Sequence, residues 1–452
     1  MKCAQHYDVV VIGSGIAGLS AAIEAKSHYP RVLIIEKLTT AGGNSLISDG
    51  GIAVVGSDIQ RRKKIDDSVA LLTQDILKAG GYQNNPKLVD TIAKHSNQAY
   101  EWTKAMGVQY QDRVDFFGGH SVKRCLTPLN KSGKDFIKPM VKYATNLGVE
   151  FLYNTKVLDI TIQANRATEV HVESKRNNHC VIHINHRLIV AAGGFSSNQK
   201  MIEMYNSSLE NLSSTNLPSA QGELLVLLEA KGAQLIGMEN IQCGPWASPD
   251  EKGFGLGPLF ADYIALPYGI LINPKNAQRF VNERADRKVV SDALISMPYA
   301  LAITDHTMVL DSGWDIARLI QKKVVEVADD LSIIAERYGM DSTKLKATID
   351  TYNNHIVAKA NDHFLKDLNA VKPLINPPYY TMKTVSKIHH TMGGIQINEH
   401  AQVITKDGQC FENVFAAGEC TGGVHGISRL GSMAITDCLV MGRIAGKNHH
   451  KN

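Results

Sequence analysis

Three glycines and one acid supply the first chemistry in this chain. Gly13, Gly15 and Gly18 fall between an apolar run, YDVVVI (7–12), and a helical pattern, LSAAIEAKSH (19–28). Glycine at these points allows a tight turn, close approach of backbone to a pyrophosphate, and close helix–strand packing. Ile16 and Ala17 open the helix, whose first N–H groups carry partial positive charge toward a phosphate. A second apolar run, RVLIIEK (31–37), ends at Glu36 and Lys37. Glu36 is placed to accept hydrogen bonds from a ribose diol and disfavours a 2′-phosphate. Together these make a βαβ unit of about 30 residues. It predicts a bound dinucleotide but does not separate FAD from NAD.

Further clusters favour a flavin. Gly42-Gly43-Asn44-Ser45 follows the acidic strand end closely, where a second backbone turn can lie against a cofactor, and Gly50 and Gly51 come soon after. The segment Ala192-Gly193-Gly194 marks a return of the chain to the nucleotide domain. Val414–Glu419 reads as a strand ending in Gly-acid, with Glu419 suited to a ribityl hydroxyl. Leu430-Gly431-Ser432-Met433-Ala434-Ile435 opens the last helix. The N–H groups of Ser432, Ala434 and Ile435 can there favour negative charge on a reduced flavin.

The elements that must position these groups can be read more coarsely. Helical patterns cover much of 58–110 and 134–147. Strand patterns run from 149 to 192, and an amphipathic helix spans 221–235. Pro and Gly are frequent through 244–269; helical stretches follow at 314–338 and 343–360, and a last one near 432–447. The expected fold is α/β: a Rossmann-like domain in two sequence segments, 1–238 and 391–452, with an α+β capping domain inserted at 239–390. The chain has 452 residues, 44% apolar and 20% charged, with net charge +4. That composition is globular, and so small an excess predicts no nucleic-acid footprint. The seven cysteines (3, 125, 180, 243, 410, 420, 438) form no C-x-x-C. That argues against zinc, a dithiol centre, an iron–sulfur cluster and covalent haem, and fits reduced thiols in the cytoplasm. No apolar run is long enough for a transmembrane helix, and the strand at 7–12 leaves no room for a signal peptide before it.

Over nearly its whole length the sequence resembles the flavoprotein subunits of fumarate reductase and succinate dehydrogenase, and most closely the flavin domains of soluble flavocytochrome c fumarate reductases. The blocks that carry the resemblance are VVVIGSGIAGLSAA, EKLTTAGGNS, GGHSVKR, AAGGFSSN, STNLPSAQGE, RFVNERADR, HHTMGG and AAGECTGGVHGISRLGSMAITD. It implies FAD in a two-part domain with a capping domain between the parts. Asn44 stands where membrane-bound members attach FAD to a His, which implies non-covalent FAD.

The resemblance also implies roles. Arg287, in RFVNERADR, matches the proton-donating Arg, and His390 and Arg429 match a His and an Arg that bind a carboxylate. A forked guanidinium suits that task. From the residues alone, His389-His390 reads equally as a pair of core or surface histidines, and no acid or Cys stands at metal-ligand spacing with them. Departures from the family pattern fall at 241–265. Gly244 replaces a His that helps hold the second carboxylate, and Ala261-Asp262 replaces a Thr-Glu pair. Ala265 replaces a second relay Arg. Asp262 is then a shorter relay acid for Arg287, and the space beside Gly244, flanked by Trp246 and Tyr263, is expected to be vacant. The expected activity is reduction of an unsaturated carboxylate other than fumarate: urocanate-like, acrylate-like or cinnamate-like. Electrons would come from a separate redox protein, reduced flavin or a nicotinamide. Two other readings remain open at this point: an FAD-dependent dehydrogenase or oxidase of a carboxylate, and a flavoprotein that only carries electrons.

Overall fold

The computed structural model describes residues 4–174, 179–369 and 371–447. Cys3 lies outside them. The strand Ala4–Ile12, buried from Tyr7 onward, is the central strand of the main sheet, paired in parallel with Val32–Ile35 on one side and Cys180–Val190 on the other. The sheet continues in parallel to Glu150–Leu152 beyond the first neighbour and to Cys410–Ala416 beyond the second. The fifth strand comes from the far end of the sequence, so the two segments meet in one layer. A hairpin, Thr155–Gln163 and Arg166–Ser174, branches from the sheet through antiparallel pairing with the first part of the interior strand Cys180–Val190.

The helix Ile16–Lys26 is buried along most of its length. It lies between the sheet and the final helix, Met433–Gly446. Gly13 makes the turn into it at φ +102°, and a Cβ there would stand 2.3 Å from the Ala191 carbonyl oxygen. A Cβ at Gly18 would meet the Gly13 carbonyl oxygen at 2.0 Å, so the helix packs directly onto the turn.

A second, antiparallel sheet is built from strands between 241 and 391. Its order is Ile241–Ala247, Tyr379–Thr391, Ala300–Asp305, Ile270–Asn273, Gln278–Arg279, with Glu326–Ala328 on the side of the long strand. The stretch 314–338 is not one helix. It divides into helix Ala317–Gln321, strand Glu326–Ala328 and helix Leu331–Arg337. The β-branched Val324, Val325 and Val327 favour an extended strand, which pairs with Tyr379, Tyr380 and Thr381. The helix in 221–235 is shorter than its pattern and covers Glu223–Ala230. Among the described residues, no helix is long and apolar enough to cross a membrane.

Candidate active site

A cleft runs over the carboxyl end of the main sheet. Gly13, Gly15, Ile16, Ala17, Glu36, Lys37, Gly43, Asn44, Ser45, Ala192, Gly193 and Glu419 all line it. It also takes in Ser14, Ser219 and Ala220, which lie inside two of the quoted blocks without having been given a role, and Cys438, which lies just past the last block. The first N–H groups of helix Ile16–Lys26 have no side-chain cap at Gly15, although the Ile16 N–H donates to Ser45 Oγ at 3.2 Å. A helix N-terminus left open this way is a seat for an anion. A side chain at Gly43 or Gly193 would meet nothing within 4 Å and would stand in the cleft. These features fit a dinucleotide laid along the backbone.

Glu36 is buried and already well occupied. Its Oε2 accepts from Ser14 N–H (3.0 Å) and Ser14 Oγ–H (2.5 Å), and its Oε1 accepts from Leu38 N–H (2.8 Å). It therefore braces the glycine turn, and its remaining acceptor capacity faces the cleft. Lys37 is drawn to Glu223 (2.9 Å) and the Ser219 carbonyl (2.6 Å). Asn44 Oδ1 accepts from Leu217 N–H.

Four of the sequence-selected glycines, Gly18, Gly50, Gly51 and Gly194, are outside the cleft lining and act in packing. A Cβ on Gly50 would meet Pro128, one on Gly51 would meet Ser432 Oγ, and one on Gly194 would meet Thr391 and Glu419. Ser432 sits in the left-handed region (φ +60°) just before Met433, with Ala434 and Ile435 in the first helical turn behind it. Burial pushes the Glu419 carboxyl up to about 7, while Thr391 N–H donates to it at 3.1 Å.

Next to this cleft stands a cluster of cations. Arg429 is 3% exposed; its Nη1 reaches the Leu430 carbonyl at 3.3 Å, and its Nε has no partner. Among the described residues no carboxylate lies within ion-pair distance of it. Burial, then the charge of Arg287, pushes its guanidinium down to about 9. A buried, unpaired cation is costly unless an anion meets it. Arg287 opens the helix Arg287–Ile295 and pairs with Asp262 at 2.9 Å. Burial raises the Asp262 carboxyl, and Arg287 offsets part of that rise.

The two histidines divide between faces. Gln242 and Cys243 pair with His390 and Ile388, so His389 is an extra residue in a β-bulge. A bulge re-aims its side chain. The His389 ring meets the Trp246 edge at 4.7 Å and Thr215 Oγ at 2.9 Å. The His390 ring turns to His425 (5.5 Å) and Glu419 (3.7 Å). On the side of Trp246 and Arg287 the structure therefore presents His389, not the motif-selected His390. Burial, then Arg429, holds both imidazoles well below their usual range.

The space beside Gly244 is not vacant. Atoms Cη2, Cζ2 and Cζ3 of Trp246 stand 2.5, 2.6 and 2.7 Å from where a Gly244 Cβ would be. The expectation of room there for an aromatic substituent is corrected: the chain's own indole fills it. Tyr263 is anchored by its own contacts. Its hydroxyl donates to Asp49 Oδ2 at 2.5 Å, and its ring packs on Phe117 and Trp314. Lys131, which no motif had marked, holds its Nζ 3.7 Å from the Tyr263 ring centre. Burial pushes Lys131 down to about 8, against the pull of Asp49 and Asp262.

The chain is similar over nearly its whole length to known flavoproteins. A family model described as an FAD binding domain matches residues 8–435. The NADH:fumarate oxidoreductase of Klebsiella pneumoniae is 33% identical over 98% of this chain and 47% of its own length, so this chain spans about half of that protein. The acrylate reductase flavoprotein subunit of Shewanella woodyi is 32% identical over 99% of this chain and 92% of its own length. The open conformation of a flavocytochrome c3 fumarate reductase superposes with a TM-score of 0.78 at 29% identity, covering 98% of this chain and 78% of that one.

Proposed function

This chain belongs to the FAD binding domain family, and on that premise we propose that it reduces the C=C bond of an α,β-unsaturated carboxylate other than fumarate, with FAD bound non-covalently. The observation that carries this reading is Arg429: a buried guanidinium beside the cofactor cleft that has, among the described residues, no partner on Nε and no carboxylate within ion-pair distance. Reduced FAD, when bound, supplies the hydride. The glycine turn with Ser14, Glu36 and Lys37 would hold its adenosine and pyrophosphate end, and Glu419 with the start of the last helix its other end. FAD is the cofactor of the family, and Asn44 offers no imidazole for covalent attachment.

The protein's own residues do the rest. Arg429 binds the substrate carboxylate, with His389 donating from the Trp246 side and His390 from the side of Glu419. Arg287 is the proton donor to the other alkene carbon. It is an unusual acid, and it works there because it faces a carbanion-like centre and is held against a carboxylate that can pass it a new proton. Asp262 is that carboxylate and fixes the guanidinium plane. We assign the antiparallel sheet and its helices, residues 239–390, as a cap over the substrate that excludes water. The electron donor is a separate redox protein, reduced flavin or a nicotinamide, and we assign the protein to the cytoplasm.

The test is anaerobic turnover with reduced viologen and a panel of unsaturated acids. Turnover of a monocarboxylate, abolished in R429M and R287Q with flavin still bound, supports the reading. Silence on every acid in the FAD-loaded protein refutes it.

A further inference from the structure

The Arg429 site identifies a carboxylate; the wall opposite it identifies how large the rest of the substrate can be. This inference rests on the reductase reading above. Between Gly244 and Ala247 the strand Ile241–Ala247 bulges: Gly244 pairs with Lys387 and Ala247 with Val385, so Pro245 and Trp246 face a single residue. The extra residue turns the indole back over its own strand. Its six-membered ring occupies the point where a Gly244 Cβ would stand, at the distances given above, which only a glycine tolerates, because real Cβ contacts do not fall under 3.0 Å.

The indole is then clamped. Trp246 is 2% exposed, with its ring set edge-on to His389 at 82° and to Phe254 at 62°. The Arg287 guanidinium carbon sits 5.7 Å from its ring centre. The tryptophan thus touches both the carboxylate-side histidine and the proton-donor side of the site. Any substrate held between Arg429 and Arg287 has this ring as its boundary. Gly244 and Trp246 act as a pair: the first removes a side chain, the second occupies the room.

We propose that Trp246 closes the substrate pocket and restricts the enzyme to short unsaturated monocarboxylates of acrylate or methacrylate size, excluding aryl-substituted acids and dicarboxylates. A bulky rigid wall rejects larger substrates by steric overlap, which packed interiors relieve poorly. The second carboxylate of a dicarboxylate overlaps the same ring.

The experiment compares kcat/KM for acrylate, methacrylate, cinnamate and fumarate in FAD-loaded wild type, W246F, W246L and W246A, with reduced viologen as donor. Wild type is expected to favour acrylate or methacrylate over cinnamate by at least about tenfold. W246F keeps that order because the wall remains. W246L and W246A raise cinnamate relative to acrylate by at least about tenfold. If W246A loses its flavin, W246L carries the comparison. Wild type that reduces cinnamate or fumarate as well as acrylate overturns the proposal, and so does an unchanged ratio in flavin-loaded W246L. Absence of turnover with every acid in wild type refutes the underlying reductase reading instead, and this inference falls with it.

Discussion

Replacing Asp262 with Asn tests the proton-donor half of the site. The carboxylate lies 2.9 Å from Arg287 Nη2, with both side chains mostly buried. At that distance and an effective dielectric near 20, the attraction is about 6 kcal/mol. Breaking one side of such a pair costs about 3–5 kcal/mol when the remaining charge stays uncompensated. Asn keeps the shape and can still accept a hydrogen bond from Arg287, so the fold should survive with part of that loss. It cannot pass a proton to the guanidinium. The expected fall in kcat is about 10²–10⁴-fold, the usual worth of a positioned acid–base group. KM should hold or drop, because Arg287 loses its neutralising partner and joins Arg429 in attracting the substrate anion. The assay is steady-state viologen oxidation from pH 5.5 to 8.5, with flavin content checked in each preparation. A flavin-loaded D262N whose kcat stays within about threefold of wild type would refute the relay role.

Other perturbations follow from the same geometry. G244A forces a Cβ into the Trp246 ring and should destabilise the protein by about 1–3 kcal/mol. Adding W246A should relieve much of that clash, and a urea-denaturation double-mutant cycle measures the coupling. The protein should lose stability in acid. His120, His389, His390 and His425 are all held below their usual range, mainly by burial, with His120 at about 4. The unfolded chain therefore binds more protons. The stability is fully present above about pH 6.5 and is lost as pH falls from there toward each folded-state value, by about 1.4 kcal/mol for His120 at pH 5.5. Urea midpoints at pH 7.5 and 5.5 check this, and H120Q should lessen the drop. E36A removes the acceptor for three donors that brace the glycine turn. It should weaken FAD binding by about tenfold or more, at about 1–3 kcal/mol per buried donor left unpaired; flavin retention on gel filtration reads it.

The cofactor half of the molecule was legible because its signals are local. A strand, Gly13, Gly15, Gly18, a helix and Glu36 lie within one short stretch, and Gly13 and Gly18 each have a steric reason to be glycine. The last strand and helix, although distant in sequence, carried the same kind of signal. The substrate half was less legible because two β-bulges decide it. Counting along HHTMGG selects His390, yet the bulge at His389 turns the other ring toward Trp246. Reading Gly244 as a lost side chain implies a gap, yet the bulge before Ala247 folds an indole into it. Bulges add a residue to one strand only and leave no periodicity to detect. Lys131 and Asp49 join Tyr263 and Asp262 purely through tertiary packing. The strand Glu326–Ala328 was hidden between two helices because three residues are too few to set a pattern against their flanks.

The central claim is that this chain passes electrons from bound FAD to an activated C=C bond. Anaerobic mixing of the photoreduced, FAD-loaded protein with an unsaturated monocarboxylate tests it directly, with flavin absorbance followed through a single turnover. The account predicts return of the oxidised flavin spectrum with one saturated acid formed per flavin, and no such return in R287Q. Reduced flavin that persists in the presence of every unsaturated acid, or oxidised flavin that bleaches when a saturated acid is added, would contradict it.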